Sequence, residues 1–326
     1  METRDRKLAR NIEAKIRSEI IEGNYFEKSI GQSKTFNDMM EKFMAEHAPK
    51  VSRNTQSSYS TSLGHLVPYF GTSDLLSISP KMISRYKIVR KEEGAKPASI
   101  NIELAMLTKA FNLAAKEWEW LKENPASKVA KEKENNERDR WLTVDEEKRL
   151  LANSPEWLKE IIVFALNTGL RRTELLSLEW SRVDLERRTI LLVKTKNGKP
   201  RTIPLNQNAL SVLKKKSDGK VRSLKNDYVF TSSEGTKIKF GRLARDFNKA
   251  IRKAGIEAFT FHSLRHTFCT RLAQEGIDLY KIAKLAGHKD IKMTQRYSHH
   301  CPDSLRAGVE ILDSDYKTTT IEKKSG

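Results

Sequence analysis

Two cysteines, Cys269 and Cys301, are all that 326 residues contain, and they form no CxxC pair. Such usage argues against a disulfide framework. No apolar run approaches the roughly 20 residues needed to span a bilayer. The first 30 residues are charged and lack a secretory hydrophobic region, so a cytoplasmic location is expected. There is no GxxxxGK[ST] loop to cradle a nucleotide and no acidic cluster to hold two metal ions. No cofactor is therefore expected. Internal repeats, low-complexity tracts and basic tails are absent, which disfavours a ribosomal or generic RNA-binding protein. Acidic residues are also in deficit, 42 against 61 Lys and Arg, leaving a formal charge of +19. A chain this basic is drawn to nucleic acid or an anionic surface.

The length suggests about two domains. Residues 1–30 read as an amphipathic helix with Leu8, Ile12, Ile16 and Ile20 at i+4 spacing. Residues 31–125 read as a bundle of four short helices without a strand pattern. Phe36, Met39, Met40 and Phe43 form one stripe, and Tyr59, Leu63, Leu66 and Phe70 a second. Ser79-Pro80 and Pro97 open two more helices. Residues 126–140 carry almost no apolar side chains and read as a linker.

Residues 141–315 mix helix with a small antiparallel sheet, and 316–326 read as a flexible tail. Thr143 and Glu146 suit a capping box, and Trp157–Leu166 is an apolar helix stopped by Thr168-Gly169. Thr189–Val193 and Arg201–Leu205 read as strands around an Asn197-Gly198 turn, with Tyr228-Val229-Phe230 as a third strand. Helices follow near 240–254, 262–275, 278–286 and 291–298. Leu305, Val309 and Leu312 share a face of a last helix.

Five places carry chemistry. Arg171, in Thr168-Gly-Leu-Arg-Arg-Thr-Glu174, sits at a helix start where its planar fork can meet a phosphate, with Glu174 one turn on to hold it. Lys196 lies at the mouth of the hairpin and could protonate a leaving alkoxide, with Lys194 and Lys199 as rivals. His262 and Arg265 are i and i+3 on a helix, opposite an apolar stripe of Leu264, Phe268 and Leu272, so both should point away from the core. His266 beside them reads as structural. His288 follows Gly287, which ends a helix capped by Asp278. Tyr297 comes nine residues later. Two cations and two imidazoles can grip a phosphodiester while a phenol oxygen attacks it.

Thr168-Gly-Leu-Arg171, Lys196 ahead of Pro204, His262-x-x-Arg265, Gly287-His288 and Tyr297 together resemble the catalytic boxes of the tyrosine recombinase (phage integrase) family. All occur in order within about 130 residues, which is specific for a motif match. The resemblance implies a mostly α fold: a helical SAM-like core-binding domain, then an α+β catalytic domain. It implies site-specific recombination through a 3′-phosphotyrosyl intermediate, without ATP or metal. Tyr297 would be the nucleophile and Arg171 and Arg265 would bind the non-bridging oxygens. His262 would assist proton transfer, His288 would bond the phosphate, Lys196 would be the general acid, and Glu174 would help build the site. Double-stranded DNA would be the partner, gripped on opposite sides by the two domains, and the protein nucleoid-associated. A homotetramer coupled through the tail helix (Leu305, Val309, Leu312) is expected on DNA, and an accessory DNA-bending or directionality factor is compatible with it. Residues 1–30 resemble only the helix that follows the arm-binding domain of larger integrases, so arm-site recognition is either lacking or encoded upstream. A silent DNA-binding factor on this scaffold and a type IB topoisomerase are the competing readings.

Overall fold

The computed structural model describes residues 6–21, 34–134, 140–193, 200–218, 227–300, 309–310 and 312. The chain divides into two compact units, Met1–Asn136 and Glu137–Gly326. Among the described residues, no helix is long and apolar enough to cross a membrane.

The first unit is helical: α1 (Arg6–Ile21), α2 (Phe36–Glu46), α3 (Arg53–Phe70), α4 (Pro80–Glu92) and α5 (Pro97–Lys116). Side chains fix the starts. Thr35 and Asp38 close a capping box on α2, and the Ser79 hydroxyl accepts from the Met82 amide at the head of α4. The stripes read from the sequence meet in one core around Phe36, Phe43, Leu66, Phe70, Ile83 and Phe111. One charge is buried with them. Glu103 accepts from both Arg90 Nε (3.0 Å) and Nη2 (2.9 Å) and from the Tyr86 hydroxyl (2.7 Å), so every oxygen is satisfied.

The stretch expected to be a linker is attached to this unit over its first part. Ala126 is buried, the Asn101 side chain bonds both backbone groups of Glu132, and Lys87 pairs with Glu132 at 2.8 Å. Its low apolar content concealed these polar anchors.

The second unit contains α6 (Val144–Ala152), α7 (Glu156–Thr168), the short α8 (Arg172–Leu176), β1 (Val183–Asp184), β2 (Thr189–Leu192), β3 (Arg201–Pro204), α9 (Gln207–Asp218), α10 (Phe240–Lys253), α11 (Phe261–Gln274), α12 (Leu279–Ala286) and α13 (Lys292–Gln295). The sheet is antiparallel in the order β1-β2-β3, with Leu192 opposite Arg201 at the hairpin mouth. Its third strand is β1, not Tyr228-Val229-Phe230. The latter makes only an isolated bridge, Glu179 to Tyr228, while Val229 and Phe230 fill the core. Helix α9 was not anticipated, although Asn206 caps it by accepting from the Ala209 amide.

The α11 helix organises this unit. Leu264 enters the main core with Ile161, Phe164, Leu175 and Phe247. Phe268, Cys269 and Ala273 form a second cluster with Ile282, Ala286 and Tyr297. At the end of α7, Gly169 takes a left-handed φ of 61°, and a Cβ there would overlap the Phe268 ring, with Cε1 only 2.7 Å away. Gly169→Ala therefore combines backbone strain with overpacking. It should lower the unfolding free energy of the full chain by about 2–5 kcal/mol in urea titrations, whereas an unchanged midpoint would contradict this packing.

Candidate active site

Two helices among the described residues have a left-handed glycine as the capping residue itself, Gly169 after α7 and Gly287 after α12. Each turn releases a carbonyl that would otherwise lie in a helix terminus. Each carbonyl accepts from an arginine elsewhere in the sequence. Arg265 Nη1 donates to Gly169 O at 2.7 Å, and Arg171 Nη2 donates to Gly287 O at 2.6 Å. The two turns thereby aim two guanidinium groups.

Glu174 anchors the first of them. As N3 of α8 it accepts from the Arg171 amide at 2.9 Å and from Arg171 Nη1 at 3.0 Å. A second cation, absent from the sequence reading, shares it: Arg201 of β3 donates through both terminal nitrogens, at 2.9 and 2.8 Å. The Glu174 side chain is only 4% exposed. Burial opposes its ionisation, yet the hydrogen bonds from Arg201 and the Arg171 backbone, and their charges, hold its carboxyl below the usual range. Arg201 also underlies Gly287, where an added Cβ would stand 2.6 Å from its Cζ. One arginine thus ties the hairpin base to both the Arg171 box and the His288 turn.

Arg265 is 4% exposed, so it points into the unit and not away from the core. Its helical face is the expected one, but that face is covered by the α7 turn. Its Nη2 is buried without a hydrogen-bond partner among the described residues, and burial together with Arg171 lowers its pKa to about 10. It remains a cation at neutral pH. Arg171 and Arg201 share the carboxylate of Glu174, and Arg265, which bonds a carbonyl instead, lies in the same field, leaving an excess of positive charge suited to an anion.

The imidazoles border this charge. His262 keeps solvent access and makes no hydrogen bond among the described residues; the protein crowded around part of its ring, and then Arg265 and Arg171, lower its pKa. His288 Nδ1 meets the buried Thr294 hydroxyl at 2.7 Å, and burial, then Arg265 and Arg171, push its pKa down to about 3. Tyr297 is 4% exposed, and its hydroxyl lies 2.6 Å from His266 Nδ1. Burial first, then Cys269, raises the phenol pKa, while Arg296 and Arg265 act against that rise. Lys196, with Lys194 and Lys199, lies outside the described residues, as do Leu305 and Cys301. The structure therefore brings Arg171, Glu174, His262, Arg265, His288 and Tyr297 into one electrostatic neighbourhood. It adds Arg201, His266 and Thr294.

Residues 140–303 match the phage integrase family profile, and residues 35–133 match that of the phage integrase SAM-like domain. The chain belongs to the phage integrase family. It is 34% identical to the integrase of Salmonella phage P22 over 242 residues, 71% of this chain and 61% of that protein. It is 34% identical to the shufflon-specific DNA recombinase of Escherichia coli over 252 residues, 74% of this chain and 62% of that protein. The chain thus spans about three fifths of the length of these two relatives. The tyrosine recombinase XerD of Listeria innocua is 30% identical over 76% of this chain and 89% of its own length. Among solved structures, the Tn1549 transposon integrase in complex with transposon right end DNA superposes with a TM-score of 0.68 at 25% identity. That match covers 86% of this chain and 100% of the other. A lambda integrase tetramer bound to a Holliday junction shares the fold, with a TM-score of 0.69 at 24% identity, over 91% of this chain and 88% of that one.

Within this integrase-family site, Glu174 is the group on which the two arginines depend. Its folded pKa is depressed, so the stability it contributes is present above its ordinary value of 4.5 and is lost as pH falls through the lower folded value. Glu174→Gln should remove that acid-side slope and cost about 3–5 kcal/mol at neutral pH, by leaving Arg171 and Arg201 uncompensated. Urea midpoints measured across acid and neutral pH check both; a variant as stable as wild type at neutral pH would contradict the site's electrostatics.

Proposed function

We propose that this protein is a site-specific DNA recombinase, most simply the integrase of a mobile element, acting through a covalent 3′-phosphotyrosyl intermediate. The observation that carries this reading is the surplus of positive charge at half-buried Arg171 and Arg201 and buried Arg265, with the Tyr297 phenol within reach of the same field. A scissile phosphodiester is the anion that such a site fits.

The steps are those the family resemblance implies, and the geometry supports several of them. Arg171 and Arg265 bind the non-bridging oxygens, and because both are held by fixed carbonyls they need no reorganisation as charge builds on phosphorus. Tyr297 Oη attacks phosphorus and the 5′-oxygen leaves, protonated by Lys196 from the β2–β3 hairpin. His288, its Nδ1 held by Thr294, offers its other ring nitrogen to the phosphate. His262, exposed at the start of the face that buries Arg265, assists proton transfer at the nucleophile in the family resemblance. The phosphotyrosyl ester conserves the energy of the cleaved bond, so rejoining needs no ATP.

The net charge of +19 supports docking on duplex DNA and association with the nucleoid. Assembly as a tetramer on DNA is part of the proposal, with the tail helix as the coupling element. Val309 and Leu312 are helical and exposed, as an apolar face awaiting a neighbouring protomer would be.

A nicked suicide substrate carrying the protein's own core site tests the reading. Wild type should accumulate a covalent protein–DNA adduct on a denaturing gel, and Tyr297→Phe should form none. Arg265→Ala should slow single-turnover cleavage by about 10²–10³-fold. Binding without any adduct would favour a silent architectural factor, and relaxation of plasmids that lack the site would favour a topoisomerase. For the general acid, Lys196→Ala should slow cleavage, and a 5′-phosphorothiolate leaving group should restore it. Absence of rescue would move the role to another group.

A further inference from the structure

The histidine that touches the nucleophile is not the one that heads the His262-x-x-Arg265 pair. Residues 262, 265, 266 and 269 fall on one face of α11, at i, i+3, i+4 and i+7. Along that face the groups divide. Arg265 turns to the Gly169 carbonyl, and His262 stays exposed. His266, one turn deeper, brings Nδ1 to 2.6 Å from Tyr297 Oη, the ring centroids being 6.1 Å apart. The His262 ring stands edge-on to His266 at 4.9 Å and 86°, so it borders the tyrosine's partner.

The geometry points to His266 as the proton acceptor for Tyr297, a catalytic role that rests on the recombinase reading above. Three observations agree with it. First, the contact joins a ring nitrogen directly to the atom that must lose a proton. Second, His266 is neutral at physiological pH: burial first, then His262, Arg296 and Arg265, lowers its pKa to about 4, which leaves a lone pair to receive a proton. Third, the Cys269 thiol beside the phenol is no competitor. It is fully buried, and burial raises its pKa to about 11, so it stays protonated.

The step balances as follows. The Oη–P bond forms and the P–O5′ bond breaks. The phenolic proton passes to His266 Nδ1, and the departing 5′-oxygen takes its proton from the general acid. On rejoining, the 5′-hydroxyl returns its proton to the general acid and attacks phosphorus, the P–Oη bond breaks, and His266 returns the other proton to Oη. In the ground state Tyr297 holds its proton firmly and His266 accepts one poorly, so no idle ionisation occurs. Both barriers fall as phosphorus draws charge from Oη and the phosphate brings negative charge beside the imidazole.

His266→Asn separates this role from mere support, because its side-chain oxygen can still accept a hydrogen bond near the Nδ1 position but cannot carry a proton at neutral pH. It should bind core-site DNA and melt as wild type does, yet cleave the suicide substrate about 10²-fold more slowly. Replacing Tyr297 in that variant by a fluorinated tyrosine whose phenol ionises near neutrality should recover about tenfold or more of the loss. His266→Gln carries the same expectation and serves if the asparagine variant melts early. Cleavage by a folded variant at the wild-type rate, or no recovery with the fluorinated phenol, would overturn the assignment. Wild type that forms no adduct at all would instead overturn the recombinase reading, so the two failures are distinct.

Discussion

Three arginines kept charged within one folded unit are the constraint on which this structure turns. A guanidinium group out of water is costly unless every part of it meets an acceptor. Here the acceptors are a carboxylate and two carbonyls supplied by left-handed glycines. Glu174 is common to Arg171 and Arg201, Gly287 receives Arg171, and Gly169 receives Arg265. Because acceptance is incomplete, with Arg265 Nη2 unsatisfied, the site retains its appetite for an anion. An incompletely neutralised cluster costs stability in the free protein and gains it back when a phosphate arrives.

The same groups explain why distant segments fold into one site. Gly169 allows Phe268 to lie against the α7 turn, which sets the height of α11 and hence of Arg265. Gly287 allows close approach of Arg201, which sets the β3 end of the hairpin against the His288 turn. Tyr297 closes the arrangement by packing in the cluster of Phe268, Cys269 and Ile282, with its hydroxyl on His266. Packing and chemistry use the same residues, so a change intended for one perturbs the other.

Much of this was legible in the sequence. Thr168-Gly169 and Gly287 announce helix ends, and the arginine and histidine after them announce function by their place on a turn. The capping box at Thr143 and the Ser79-Pro80 start are local signals and formed as read. Arg201 was not legible because nothing local distinguishes it from the other cations of a basic hairpin; its partner Glu174 lies 27 residues away. His266 read as structural since its partner, Tyr297, is 31 residues on. The 228–230 run was misread because a short apolar segment suits a strand and a core-filling loop equally. Arg265 was given the correct helical face, but only tertiary packing shows that this face is covered.

The central claim is that the cluster of Arg171, Arg201 and Arg265 carries uncompensated charge that binds a phosphate. Thermal unfolding of the full chain against inorganic phosphate, with ionic strength held constant by chloride, tests it most directly. Preferential binding to the folded state must raise the midpoint as phosphate rises. The account requires that rise in wild type and its loss in Arg265→Met. Equal responses of the two proteins, or none in either, would contradict it.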